Sequence, residues 1–151
     1  MEAKMDGRRI VQIGILSHDV RTTAQKWADF LHVDVPEIEI SDGYEKSRAL
    51  YRGQPCHARL YQAFFHFDNI EVEVIQPADD APSIWRECLD RDGEGLHHIS
   101  FAVKNMAENL ARCEAAGMPV LQKGEYPNGR YAYLDTLSNL KVILEFLEDD
   151  A

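Results

Sequence analysis

A chain of 151 residues with 45% hydrophobic content is long enough for one domain with a sizeable core, which excludes disordered, collagen-like and coiled-coil classes. Sixteen Lys and Arg stand against 26 Asp and Glu, a net charge of −10, so nucleic acid and anionic membrane surfaces are poor partners. Apolar runs fall far short of the ~20 residues that cross a bilayer, Met1 to Arg9 carries no signal-like core, and Cys56, Cys88 and Cys113 lack CxxC spacing and read as reduced thiols, so the expectation is a soluble, cytoplasmic protein.

In chain order, Ile10 to Leu16 reads as a strand. Asp19 then offers an N-cap to a helix whose apolar positions Val20, Ala24, Trp27 and Leu31 form one stripe. Ser41 to Gln54, with Gly43 and Gly53 and no clean periodicity, is expected to be a loop and a lid candidate. Ala58 to Phe67 and Ile70 to Gln76 read as strands of a hairpin turned by Asp68-Asn69. The connector Ala78 to Gly93 holds a short helix opened by Pro82 and carrying Trp85 and Leu89. Leu96 to Val103 is a further strand, and Asn105 caps a helix with Met106, Leu110 and Cys113 inward, stopped by Gly117. Gly124 to Gly129 reads as a turn, followed by strands Tyr131 to Asp135 and Lys141 to Phe146 separated by Thr136-Leu137-Ser138-Asn139.

The two halves repeat. Gln12, Val20, Ala24 and Trp27 recur 86 residues later as His98, Met106, Leu110 and Cys113, and Glu73 recurs 72 residues later as Glu145. The expected architecture is α+β, with module one over residues 9–77, a connector over 78–93 and module two over 94–148. Strand alternation puts Gln12 on one face with Ile10 and Gly14, and His98 with Ser100, and it sends the adjacent His97 to the opposite side. If the modules pair about a pseudo-twofold axis, Gln12, Glu73, His98 and Glu145 converge from four strands. One amide oxygen, one imidazole and two carboxylates suit a divalent cation, whose charge the carboxylates balance.

The duplicated strand-helix-strand pattern, with Gly93-Glu94-Gly95-Leu96-His97-His98-Ile99-Ser100-Phe101 and the closing run Leu144-Glu145-Phe146-Leu147-Glu148, resembles the vicinal oxygen chelate superfamily. That superfamily includes glyoxalase I, methylmalonyl-CoA epimerase, extradiol dioxygenases and bleomycin-resistance proteins. The similarity runs from about Arg9 to Glu148, and GEGLHHISF is most like the epimerases. It implies paired βαβββ modules in a U-shaped sheet around one metal ion (Zn²⁺, Ni²⁺, Co²⁺, Mn²⁺ or Mg²⁺), with ligands at Gln12, Glu73, His98 and Glu145, and often a homodimer. It also implies that Glu145 can leave the metal and accept a proton. Two positions depart from the family pattern: Gln12 stands where His is common, and His57 stands where epimerases carry a second acid/base glutamate. An imidazole can take a proton at neutral pH, which makes His57 the candidate for that role.

Lys46, Arg48, Arg52 and Arg59 concentrate positive charge in an otherwise acidic chain, and Arg48, Arg52 and Arg59 are candidate anchors for the phosphates of a CoA thioester or the carboxylates of a glutathione hemithioacetal. The expected function is a metal-dependent lyase or isomerase of the glyoxalase I or methylmalonyl-CoA epimerase type, passing a proton through a metal-stabilised enolate. A dioxygenase is disfavoured because the oxygen-activating iron site wants two His and one carboxylate. The alternative from another class is a non-enzymatic, bleomycin-type sequestering protein, for which the net charge of −10 suits a cationic ligand.

Overall fold

The computed structural model describes residue 6 and residues 8–151. The chain runs β1 (Arg9–Leu16), α1 (Val20–Leu31), β2 (Glu39–Ile40), α2 (Tyr44–Ser47), β3 (Leu50–Tyr51), β4 (Gln54–Pro55), β5 (Leu60–His66) and β6 (Glu71–Pro77). It continues through α3 (Ile84–Asp92), β7 (Gly95–Ala102), α4 (Met106–Ala115), β8 (Val120–Tyr126), β9 (Gly129–Leu134), α5 (Leu137–Leu140) and β10 (Ile143–Asp149). One mixed sheet of ten strands, in the order β2-β5-β6-β1-β7-β10-β9-β8-β3-β4, carries both modules.

The expected duplication is visible in the pairing. β1 and β7 meet antiparallel, and Ile13 lies opposite Ile99, its own equivalent 86 residues on. Gln12 consequently pairs with Ser100 and Gly14 with His98. On either side β6 runs parallel to β1, with Gly14 opposite Glu73, and β10 runs parallel to β7, with Ser100 opposite Glu145. The register of β1 against β7 shifts twice, leaving Val11 and His97 unpaired as bulge residues. These two positions are also 86 apart, so the bulges obey the same pseudo-twofold.

Each module packs a helix on the outside of its sheet. Asp19 caps α1 by accepting from the backbone N–H of Arg21 and Thr22, and Val20, Ala24 and Ala28 pack on Ala63, Phe65, Val72 and Val74. Trp27 and Leu31 lie half-buried at the edge of that cluster. Met106 of α4 packs likewise on Ala132, Leu134 and Phe146. Asn105 sits at the cap position of α4, but its amide donates to Asp6, while the helix's first N–H, that of Met106, donates to Glu148. The third core fills the inside of the curl, where α3 brings Ile84, Trp85, Cys88 and Leu89 against Leu60, Ile75, Tyr133 and Ile143.

Three expectations change. Ser41 to Gln54 is no free lid: it forms α2 and the β3–β4 hairpin, and β3 pairs with β8 of the other module. Gly124 to Tyr126 belongs to strand β8, so the turn before β9 shrinks to Pro127-Asn128. The Thr136 linker contains the helical turn α5. Among the described residues no helix is long and apolar enough to cross a membrane.

Candidate metal centre and cavity

The seam between the modules sets the site. Gln12 and His98 each follow a bulge, and both are buried. Their side chains meet, with Gln12 Oε1 3.0 Å from His98 Nε2. Ser100 Oγ lies 3.1 Å from Gln12 Oε1 and donates to Glu145 Oε1 at 2.6 Å. Glu145 Oε1 is 3.3 Å and Glu73 Oε1 3.6 Å from His98 Nε2. The outer carboxylate and amide groups complete the set: Gln62 donates to Glu73 Oε2 at 2.7 Å, and the Gln12 amide donates to Glu71 Oε1 at 2.8 Å. Gln12, Glu73, His98 and Glu145 are thus brought together, as their places in the two modules lead one to expect.

Burial decides their protonation. It pushes Glu145 up to about 8, helped by the nearby charge of Glu73 and opposed by the Ser100 hydrogen bond. Glu73 rises to about 7 for the same first reason, against the Gln62 bond. Burial, followed by the neighbouring His97, holds His98 well below the usual imidazole range. With the imidazole neutral, its contacts to the glutamates are not ion pairs, and its side-chain hydrogen-bond partners are Gln12 at Nε2 and His97 at Nδ1.

Adjacent strand residues normally face apart, which is why His97 was expected on the far side. The bulge turns it back, and its Nδ1 lies 2.7 Å from His98 Nδ1 with the rings perpendicular. His97 Nε2 is buried without a hydrogen-bond partner. Burial, above all, lowers its pKa to about 3.

The donors suit a divalent ion. Ligands about 2.1 Å from one ion at right angles lie ~3.0 Å apart, close to the 3.0 and 3.3 Å spacings seen around His98 Nε2. An ion's charge would also return both raised carboxyls to the anionic form. Among the described residues no three His, Cys, Asp or Glu side chains stand ready as a cage; the amide of Gln12 is part of the set, and the groups are drawn together by hydrogen bonds.

This cluster lies at the floor of a cavity of about 600 Å³ between the arms of the sheet. Tyr131, Tyr133, Trp85 and Phe64 line its walls. Seven carboxylates also line it, from Glu39, Asp42, Glu71, Glu73, Glu125, Glu145 and Asp149, and no described lining residue is Lys or Arg. His57 is not brought here. It is exposed, packs on the Tyr44 ring at 4.7 Å, and lines a separate surface pocket with Lys46 and Arg59. Arg59 donates to the Ser41 carbonyl at 2.8 Å, Arg52 pairs with Glu87 at 2.7 Å, and Arg48 lies over the Tyr44 ring. The residues that sequence reasoning passed over are Ser100, Gln62 and Tyr133. Ser100 alone carried a signal, since it shares the strand face of His98.

The chain matches the family model described as "Glyoxalase/Bleomycin resistance protein/Dioxygenase superfamily" over residues 11–133. Among curated proteins none matches. Similar solved structures include the methylmalonyl-CoA epimerase from Mycobacterium tuberculosis, at 15% identity and TM-score 0.66, covering 100% of this chain and 94% of that one. A variant of the Streptomyces coelicolor methylmalonyl-CoA epimerase in complex with 2-nitronate-propionyl-CoA is 21% identical, with TM-score 0.66 over 98% and 97% of the two chains. A hypothetical protein from Bacillus halodurans C-125 is 18% identical, with TM-score 0.66 over 95% of each. The likeness to these structures is one of fold.

Proposed function

Because the chain belongs to the glyoxalase/bleomycin resistance protein/dioxygenase superfamily, we propose that it is an isomerase of the epimerase type, moving a proton at the carbon next to a substrate carbonyl. The observation that carries this reading is Glu145, a buried carboxyl that lines the cavity, is fixed by Ser100 and would be anionic, and so able to accept a proton, beside a bound ion.

Ser100 holds Glu145 by its Oε1, so the carboxyl is fixed before substrate arrives. Glu145 takes the α-proton. Glu145 then holds that proton as a carboxylic acid until it is returned to the carbon, and Glu73, on the equivalent strand of the other module, is the second carboxylate from which the opposite face can be served. Tyr133, Trp85 and Tyr131 exclude water around the reacting carbon. A divalent ion held by Gln12, His98, Glu73 and Glu145 supplies Lewis acidity to the carbonyl oxygen when bound. The same proton transfer serves a lyase of the glyoxalase I type.

Exchange of the α-hydrogen with D₂O, followed by NMR on metal-loaded protein with a panel of thioesters, hemithioacetals and amino-carbonyl compounds, tests the proposal. Exchange is expected to vanish in Glu145→Gln and to survive in His57→Ala. Absence of exchange across the panel with every metal tried selects the second reading, a protein that sequesters its ligand without turnover, which the acid-lined cavity favours.

A further inference from the structure

The charge of the cavity wall is one-sided in a way that the ligand set does not explain. An ion of charge +2 at the floor balances Glu73 and Glu145. Five carboxylates remain: Glu39, Asp42 and Glu71 on the arm of module one, and Glu125 and Asp149 on the arm of module two. Asp42 has Lys46 and Arg59 beside it in the outer pocket, and Glu71 has the His66 imidazole at 3.2 Å; Glu39, Glu125 and Asp149 have no Lys or Arg within salt-bridge distance among the described residues. Arg59 is held by the Ser41 carbonyl, Arg52 by Glu87, and Arg130 by Glu148 and Asp150. Two acidic arms facing each other across a cleft with low-dielectric walls focus a negative potential into it, within the reach of about 8 Å that physiological salt allows. Tyr126, whose hydroxyl donates to Asp149 at 2.9 Å, joins Tyr131 and Trp85 in presenting aromatic surface beside these charges. Carboxylates next to aromatic rings are the surroundings that stabilise an organic cation.

We propose that the ligand of this cavity carries a cationic group, an ammonium or a guanidinium, on an apolar or aromatic body, and that the acidic arms exclude polyanions such as coenzyme A and glutathione. This rests on the cavity being the substrate site and gives that site its substrate class. The cation lies between the arms, against Glu39, Asp42, Glu125 and Asp149, while the remainder of the molecule reaches the floor. Of the cations of the 46–59 segment, which would serve an anionic substrate, Lys46 and Arg59 line the adjoining pocket, Arg52 is paired with Glu87 and Arg48 lies over the Tyr44 ring.

Titration calorimetry of metal-loaded protein with three probes of one shape tests this: 2-phenylethylammonium, 2-phenylethanol and 2-phenylethanesulfonate, with coenzyme A as a fourth. The ammonium is expected to bind most tightly and to weaken steeply with salt, the sulfonate and coenzyme A least tightly. The exposed and half-buried changes Glu39→Gln, Asp42→Asn and Glu125→Gln together should weaken the ammonium about tenfold and flatten its salt dependence, with the melting temperature showing that the fold is kept. Tighter binding of the sulfonate or coenzyme A, no binding of the ammonium, or an unaltered ammonium affinity in the triple variant overturns the proposal. Ammonium binding without α-hydrogen exchange on any substrate removes the isomerase reading and leaves this one standing. Exchange on a coenzyme A thioester does the reverse.

Discussion

Gly14 stands across the β1–β7 seam from His98, and a Cβ built on it would lie 2.0 Å from the imidazole Cε1. The ring occupies the space that any side chain at position 14 would need. Gly14→Ala is expected to displace His98 and to overpack a fully buried seam, at a cost of ~1–3 kcal/mol. A melting temperature several degrees lower, together with a Co²⁺ affinity reduced by about tenfold or more, checks it; unchanged metal binding in a folded variant would contradict it.

Glu145→Gln preserves the shape of the buried group and its contact with Ser100, so the protein should fold. It removes the proton acceptor. The rate of α-hydrogen exchange is expected to fall by about 10²–10⁴, while the thermal stability of chelator-treated protein stays level or rises, because one of the two buried carboxyls of the cluster is gone and only Glu73 remains. Exchange kinetics and calorimetry on the same preparation give both readouts.

Protein stripped of metal should lose stability as pH rises from 6.5 to about 8. Folded Glu73 and Glu145 hold protons up to about 7 and about 8, whereas in the unfolded chain they are ionised above about 4.5. The native state therefore binds more protons in that window, and stability declines through it. Between about 4.5 and 6.5 the buried His97 and His98 act in the opposite sense, since the unfolded chain protonates them and the native state does not, so the two histidines offset the two glutamates and stability there is nearly level with pH. Melting curves at pH 6.5 and 8.5 should differ in wild type and converge in Glu73→Gln/Glu145→Gln.

His97→Leu tests the contact made at the bulge. One of the two Nδ1 atoms must donate to the other; the acceptor Gln12 Oε1 puts the proton on His98 Nε2 in the ion-free protein, whereas with an ion bound donation from His98 Nδ1 to His97 would leave the Nε2 lone pair free for the metal. Loss of that partner is expected to lower divalent-metal affinity by about 10–100-fold with the fold retained. Nitrogen-15 NMR of the His98 ring should show the tautomers mixing; a single unchanged tautomer in the variant would refute the assignment.

Much of the fold was legible because its signals are local. The cap at Asp19, the spacing of Val20 and Ala24 and the Asp68-Asn69 turn each lie within a few residues, and their recurrence exposed the duplication. Gln12, Glu73, His98 and Glu145 could be grouped because the repeat places them. The facing of His97 was hidden: its bulge arises only when two strands 86 residues apart are paired, and alternation within one strand predicts the opposite side. His57 and the arginines were hidden for a similar reason. The segment before β5 crosses to pair with β8, a non-local contact without a sequence period, and that excursion carries Lys46, Arg59 and His57 to an outer surface.

The ten-stranded sheet ends at both margins in a strand of only two residues, Glu39–Ile40 on one side and Gln54–Pro55 on the other. Each margin covers only part of the strand behind it: β2 pairs with Tyr61 and Gln62 of β5, and β3 with Gln122 and Lys123 of β8, so among the described residues Ala63 to His66 and Gly124 to Tyr126 have no strand on their outer side. The open stretches, four residues on one side and three on the other, are the places where the strand of a second copy could extend the hydrogen-bond ladder, and His66 and Glu125 set polar side chains there.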